Sequence, residues 1–369
     1  MKPQSIIFIS VLLLAMVFYS CKNHSAGRET ATAVVSLEPG DNDLSHEDVI
    51  EIIDWIEIKA DSSLFIGNPA KVEYYGSDYY ILDNRNQKCV MRYASDGTLI
   101  NKIGQLGQGP EEYSSIVDFS IDRSNGRVIV LSMESTLYLY STDGTFERKV
   151  SPTEDIISRI SCNSKGLMTS SDYSSPTTDT DNFLLSEFDN EFHQIGRWIP
   201  YSEPKRPSFS PLGPDCLVTL DELTYYFDDI NLDLITYDSK SNVASTLMSF
   251  DLCNRMPEDI FSDNMRFISE QLIYNWVKDF VVVGNHIIAG YIYDRNFSIS
   301  IVDKTGKIVT SGKFHGPFPQ CYPLDDNTVI SPISVDSYLN YWENQSDIPK
   351  PSFDVSEDTN LLLMKWKLK

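Results

Sequence analysis

Two stretches 47 residues apart follow the same pattern: "CVMRYASDGTLINKI" (89–103) and "TLYLYSTDGTFERKV" (136–150). Each is an apolar strand ending in tyrosine, then two small or polar residues, Asp-Gly, and a second strand. Tyr93 matches Tyr140, Asp96 matches Asp143, and Gly97 matches Gly144. Asp-Gly between alternating apolar runs is a strong hairpin signal, because glycine tolerates the positive φ such turns require. A hairpin recurring at this spacing means one multi-stranded unit is repeated. Several strands in each unit of about 45–50 residues describe a propeller blade.

Weaker copies follow. "LLSEFDNEFHQI" (184–195) puts Asp189-Asn190 in the turn, "LDLITYDSKSNVAST" (232–246) puts Asp238 there, and "FSISIVDKTGKIVTSG" (297–312) carries Asp303 and Gly306. Further short strands are predicted at 79–83, 116–122, 127–132, 279–285 and 286–293. Helical periodicity is confined to 257–276, where Phe261, Met265, Ile268, Leu272 and Trp276 recur at i, i+4, i+7, i+11 and i+15. Pro257 suits a first helical turn, so one inserted helix is predicted there, with that stripe as its core face. Five hairpins leave one blade to be closed by the chain ends. "VIEIIDWIEIKA" (49–60) reads as a strand, and so does "LLLMKWKLK", where Leu362, Met364, Trp366 and Leu368 alternate with their neighbours. Pairing the two ends in one blade closes the ring and removes exposed sheet edges. The expected fold is all-β: a six-bladed β-propeller of four-stranded antiparallel blades, closed by N- and C-terminal strands, with seven blades as the alternative. Closure requires Trp55 and Trp366 in one sheet.

The N-terminus reads as a targeting segment. Lys2 precedes a run, 6–18, that is apolar except for Ser10, the length of a signal-peptide core and short for a bilayer span. It ends "VFYSC", and Ser20 directly before Cys21 resembles the lipobox of bacterial lipoproteins. The resemblance implies cleavage before Cys21 and lipid attached to it; Phe18 departs from the usual leucine. Residues 22–48 are polar and aperiodic and read as a tether. The expected organisation is a signal peptide at 1–20, a flexible tether at 21–48 and the propeller at 49–369.

The 369 residues carry 53 acids against 30 Lys and Arg, a net charge of −23. That balance argues against nucleic acid and against adsorption on anionic lipid. Setting Cys21 aside leaves Cys89, Cys162, Cys216, Cys253 and Cys321, widely spaced with no CxxC, so buried single thiols are expected.

"IGQLGQGPEEY" (103–113) holds Gly104, Gly107 and Gly109. A phosphate loop needs backbone N–H groups, a following helix and commonly a lysine. Here Pro110 lacks an N–H, Glu111 and Glu112 repel phosphate, and a β pattern follows. The loop reads as a crossover between blades, with glycines permitting close approach. With the hairpin before it, "KIGQLGQGPEEYSSIVDFSID" (102–122) resembles the signature of a family of six-bladed β-propeller lipoproteins of Bacteroidetes, related to NHL-repeat propellers. Residues 63–100, 225–238 and the C-terminal "LLLMKWKLK" are similar to other pieces of that family; the resemblance is weak over 151–222. Glu111 stands where the family more often has glycine. The resemblance implies the fold and an envelope location, and it carries over no catalytic residues.

The sequence carries few signatures of chemistry. His193, His286 and His315 form no HxH or HExxH; His286, His315 and a nearby acid are the one metal set that can be assembled, and unrelated histidines are the expectation. "TTDTDN" (177–182) fails as a calcium loop because Leu184 and Asn190 fall where Gly and Glu are needed. No GxSxG occurs. Glu111-Glu112, Asp228-Asp229 and Asp325-Asp326 are adjacent, so in extended chain each pair points to opposite faces. Tyr201, Phe209 and Tyr225 are candidates for a binding face. No catalytic residue, metal ligand or cofactor is assigned; the one site residue is Cys21, for lipid. The expected function is a ligand- or protein-binding module, lipid-anchored at the outer membrane, its partner an envelope protein, peptide or glycan. The periplasmic leaflet is favoured over the cell surface because "KNHSAG" lacks an acidic export cluster. The alternative is a propeller hydrolase or lyase with a polar or metal site at the channel mouth.

Overall fold

The structure, a computed structural model, describes residues 31, 33–59, 64–174, 182–201, 203, 205, 217–356 and 358–369. Cys21, Phe209, Cys216 and residues 177–181 lie outside them.

Six antiparallel sheets form six blades. Blade 1 holds Pro69–Tyr75, Asp78–Asp83, Cys89–Tyr93 and Leu99–Ile103. Blade 2 holds Asp118–Asp122, Arg127–Leu131, Leu137–Ser141 and Phe146–Val150. Blade 3 holds Arg159–Cys162, Gly166–Ser170, Asn182–Asp189 and Gln194–Tyr201. Blade 4 holds Leu217–Leu220, Leu223–Asp228, Asp233–Asp238 and Val243–Asp251. Blade 5 holds Trp276–Val283, His286–Tyr293, Asn296–Asp303 and Ile308–Phe314. Blade 6 takes Tyr322–Pro323, Val329–Ser334 and Thr359–Leu368 from the C-terminal end and Ile50–Lys59 from the N-terminal end. Met364 pairs with Trp55 and Trp366 with Ile52, so the two tryptophans share the closing sheet as expected.

Alternation explains the packing. In blade 1 Tyr79 and Ile81 pack toward blade 6, while Tyr80 and Leu82 pack toward blade 2. Both faces of a blade are covered, so Asp78–Asp83 is buried throughout, and its middle four residues, Tyr79 to Leu82, are apolar without alternation. Each of six apolar clusters joins two neighbouring blades, including blade 6 to blade 1. The ring thus has no uncovered blade face.

The predicted Asp-Gly turns join the third and fourth strands and also touch the neighbouring blade. Asp96 and Asp143 accept the N–H of Thr98 and Thr145. Gly97 has φ +78°, and a Cβ there would lie 1.7 Å from the Glu57 carbonyl oxygen of blade 6. Gly144 has φ +89° and would meet the Lys102 carbonyl of blade 1 at 2.8 Å. Gly97→Ala therefore combines backbone strain with a backbone clash and is expected to destabilise by more than about 1 kcal/mol. Urea unfolding measures this; a midpoint equal to that of the unaltered chain would show that the turn relaxes freely.

Two expectations are corrected. The tether was expected to run to residue 48, but Val34–Ser36 pairs in parallel with Val243–Asp251 of blade 4, and Asn42–Leu44 with Ile308–Phe314 of blade 5. Val35, Leu37, Leu44 and His46 are buried. This strap joins by backbone hydrogen bonds to open strand edges, which leave no periodic signal in a polar segment. The single helix over 257–276 is instead a 3-10 turn at Glu258–Ser262 and a short helix at Asn264–Glu270. Asp263 ends the first and caps the second by accepting the N–H groups of Met265 and Arg266. Trp276 opens the first strand of blade 5. Only the ends of the predicted stripe, Phe261 and Trp276, pack on the local core of Met256, Ile260 and Phe267, whereas Met265, Ile268 and Leu272 are 75%, 55% and 62% exposed.

Candidate functional site

The first strands of successive blades surround the axis, and all six blades line one central cavity of about 630 Å³. Its wall includes residues of the first-to-second-strand turns, among them Arg123, Ser164, Asp221 and Asp326, so the cavity reaches that end of the ring. A volume in the range of roughly 300–1,000 Å³, lined by all blades, is typical of a ligand site.

A buried charge on the wall is Lys71, on the first strand of blade 1. Its Nζ donates to Asp118 Oδ1 at 3.0 Å, to the Phe119 carbonyl at 2.8 Å and to the Ile160 carbonyl at 3.1 Å. Asp118 also accepts the N–H of Phe119 through Oδ1 and that of Ile160 through Oδ2. One buried ion pair thus ties blades 1, 2 and 3 at the axis. Glu73 Oε1 lies 3.7 Å from Lys71 Nζ, and Glu73 Oε2 accepts the Ile121 N–H. Ser120 Oγ accepts the Cys162 N–H, and Ser161 Oγ donates to Thr219 Oγ1. Sequence reading missed Lys71 and Asp118. The available signal was Lys71 with Glu73 two residues on in the strand Pro69–Tyr75, and Asp118 at the start of the strand Asp118–Asp122.

The cavity wall is two-sided. Blades 1 to 3 contribute Lys71, Glu73, Ser120 and Ser161 beside Val72 and Ile121, whereas blades 4 to 6 contribute mostly apolar side chains, among them Val218, Leu220, Phe280 and Leu324, with Thr219 inside and Asp221, Asp325 and Asp326 at the mouth. Cys162 and Cys321 line it from blades 3 and 6, and burial raises both thiols well above the usual range. Cys89, Cys162, Cys253 and Cys321 are free thiols.

The histidine candidates do not meet here. His286 starts the second strand of blade 5 opposite Asp303, while His315 lies just beyond Phe314 at the far end of that blade. Strands of this length separate them by roughly 25 Å, so no metal ion joins them. His315 Nε2 contacts Asp43, and His193 contacts Asp189, both at the surface. Among the described residues no three His, Cys, Asp or Glu side chains converge as metal ligands. Asp325 and Asp326 both line the cavity mouth, with Asp325 Oδ1 accepting the N–H groups of Asn327 and Thr328. Asp228 is buried and accepts from Tyr173 and Asn231. Tyr225 is largely buried but is among the residues that line the cavity, and its hydroxyl accepts from Lys304; Tyr201 donates to the Ser174 carbonyl.

The glycine loop is the expected crossover, from the last strand of blade 1 to the first of blade 2. Its anion-facing N–H is already used: Glu112 Oε2 accepts the Gly109 N–H at 2.8 Å, and Gln105 donates to Oε1. These bonds hold the Glu112 carboxyl below its usual range. A Cβ on Gly107 would lie 1.7 Å from Glu112 Oε2, and one on Gly104, at φ +71°, would meet the Tyr113 ring at 2.7 Å. The loop therefore encloses its own carboxylate and has no place for a phosphate.

Ring and cavity define the class: a six-bladed β-propeller whose blades surround one central cavity. The chain belongs to the family described as a domain of unknown function (DUF4934), whose model matches residues 33–367. That match begins at the strap, in keeping with its place in the fold. No curated protein matches the chain. Among solved structures, it resembles a Bacteroides fragilis protein described as exported, with a TM-score of 0.72 and 15% identity, over 91% of this chain and 100% of that one. It also resembles a member of the DUF4221 family from Bacteroides vulgatus, with a TM-score of 0.52 and 10% identity, over 88% of this chain and 99% of that one. At these identities the likeness concerns the fold.

Proposed function

We propose that this chain is a lipid-anchored cell-envelope propeller that binds a ligand in its central cavity. The observation that carries this reading is the cavity itself: six blades converge on it, and Lys71, Glu73 and Ser161 in its wall are already held by hydrogen bonds to neighbouring blades. Such a wall is preorganised, so little side-chain entropy is lost on binding. The partner class is an envelope glycan, peptide or protein segment, and the anchor is Cys21. Export is supported by the apolar run before Cys21 and by the description of the Bacteroides fragilis relative. Among the described residues no helix is long and apolar enough to cross a membrane.

Native mass spectrometry of the full chain purified from envelopes is expected to show a bound small molecule that is lost in Val218→Trp, which adds bulk at the cavity wall. Cys21→Ser is expected to abolish incorporation of labelled palmitate and to shift the chain to the soluble fraction. A ligand that Val218→Trp leaves in place would remove the cavity reading, and acylation that survives Cys21→Ser would remove the anchor.

A further inference from the structure

We infer that the cavity takes an uncharged polyhydroxyl ligand carrying an apolar group, of the aryl glycoside class. This rests on the central cavity being the ligand site, as proposed above. Two features of the wall select the class.

The wall is divided by blade. Below the mouth the arc of blades 1 to 3 is the more polar, with Lys71, Glu73, Ser120 and Ser161, and the arc of blades 4 to 6 is mostly aliphatic and aromatic, with Thr219 as its polar side chain; the exposed carboxylates of Asp221, Asp325 and Asp326 stand at the mouth. A molecule that fills the cavity touches both arcs, so it needs one hydrogen-bonding side and one apolar side. Val218, Leu220, Phe280 and Leu324 are only partly covered by protein, so apolar contact remains to be made there.

The second feature is that the charges on the polar arc are already committed. Lys71 is matched by Asp118 and Glu73, and Glu73 also holds a backbone N–H. Arg123 donates to the Tyr74 carbonyl and lies over the Tyr75 ring. Below the mouth, away from the exposed carboxylates of Asp221, Asp325 and Asp326, a charged ligand would have to break these contacts or be buried without a counter-ion, and either is costly. A carboxylate meets the further cost of Asp221, Asp325 and Asp326 at the mouth. Ser120 and Ser161 offer hydroxyl groups suited to the mixed donors and acceptors of a polyol.

Calorimetry on the full chain tests this with phenyl β-glucoside, glucose, benzoate and benzylamine. Phenyl β-glucoside is expected to bind at least tenfold more tightly than any of the other three. Leu220→Asp is expected to weaken it tenfold or more, and Ser161→Ala severalfold. Ile195→Asp, on the exposed outer strand of blade 3, is expected to leave it unchanged. If Leu220→Asp fails to fold, Leu324→Asn on blade 6 makes the same test. Tighter binding of benzoate or benzylamine, parity between glucose and its phenyl glycoside, or indifference to these apolar-wall variants would each overturn the inference. A co-purified ligand lost in Val218→Trp, without glycoside binding, would overturn this inference alone. A co-purified ligand that Val218→Trp leaves in place would overturn the cavity reading as well.

Discussion

Lys71→Met is expected to destabilise the propeller by about 3–5 kcal/mol, the usual cost of removing one partner of a buried ion pair. The lysine and Asp118 are both buried, and the ammonium also satisfies two backbone carbonyls from blades 2 and 3. Removing it leaves the Asp118 carboxylate without its counter-ion and the carbonyls of Phe119 and Ile160 without this donor. Lys71→Met combined with Asp118→Asn is expected to recover part of the loss, because the uncompensated charge is then gone. Denaturant unfolding of the four members of this cycle measures the coupling. Additive losses would mean that the pair does not act as one unit.

The strap predicts an acid response. His46 is 2% exposed and packs against Phe314, Tyr341 and Trp342. Its Nδ1 lies 3.0 Å from Tyr341 Oη and its Nε2 2.8 Å from the Pro317 carbonyl. Burial lowers its pKa from 6.5 to about 4, against a smaller opposing effect of the Pro317 carbonyl. The folded chain therefore keeps His46 neutral down to about pH 4, while the unfolded chain takes up the proton near pH 6.5. Stability is unaffected above pH 6.5, falls as pH drops through this window, and is lower by about 3 kcal/mol below it. His46→Phe removes the titrating group. It is expected to cost stability at pH 7 through the lost hydrogen bonds, and to flatten the decline between pH 6.5 and 4 by that amount. Parallel pH profiles for the two chains would rule out His46 as the source.

The hairpins were legible because each is written locally. Asp96, Asp143 and Asp303 fold their carboxylates onto the N–H groups of the turns that follow, and glycine takes the positive φ beside them. Chain closure was legible as well, since Trp55 and Trp366 sit in strands with readable alternation. The insertion misled because Met265, Ile268 and Leu272 are apolar and helically spaced yet exposed. Periodicity identifies a face that could be buried, and only the surrounding elements decide whether it is. His46 was invisible because one histidine in a polar segment has no pattern, and the cage of Phe314, Tyr341 and Trp342 comes from residues more than 260 positions away.

From the sequence alone follow the repeated blade, its turns, the pairing of the two ends and the absence of a phosphate loop at 103–113. These depend on backbone conformation and alternation over a few residues, which neighbouring side chains encode. The strap on blades 4 and 5, the Lys71–Asp118 pair and the two-sided cavity were decided by tertiary structure. Each depends on which residues of different blades meet across the axis or at a strand edge, and that is set only once the ring has closed.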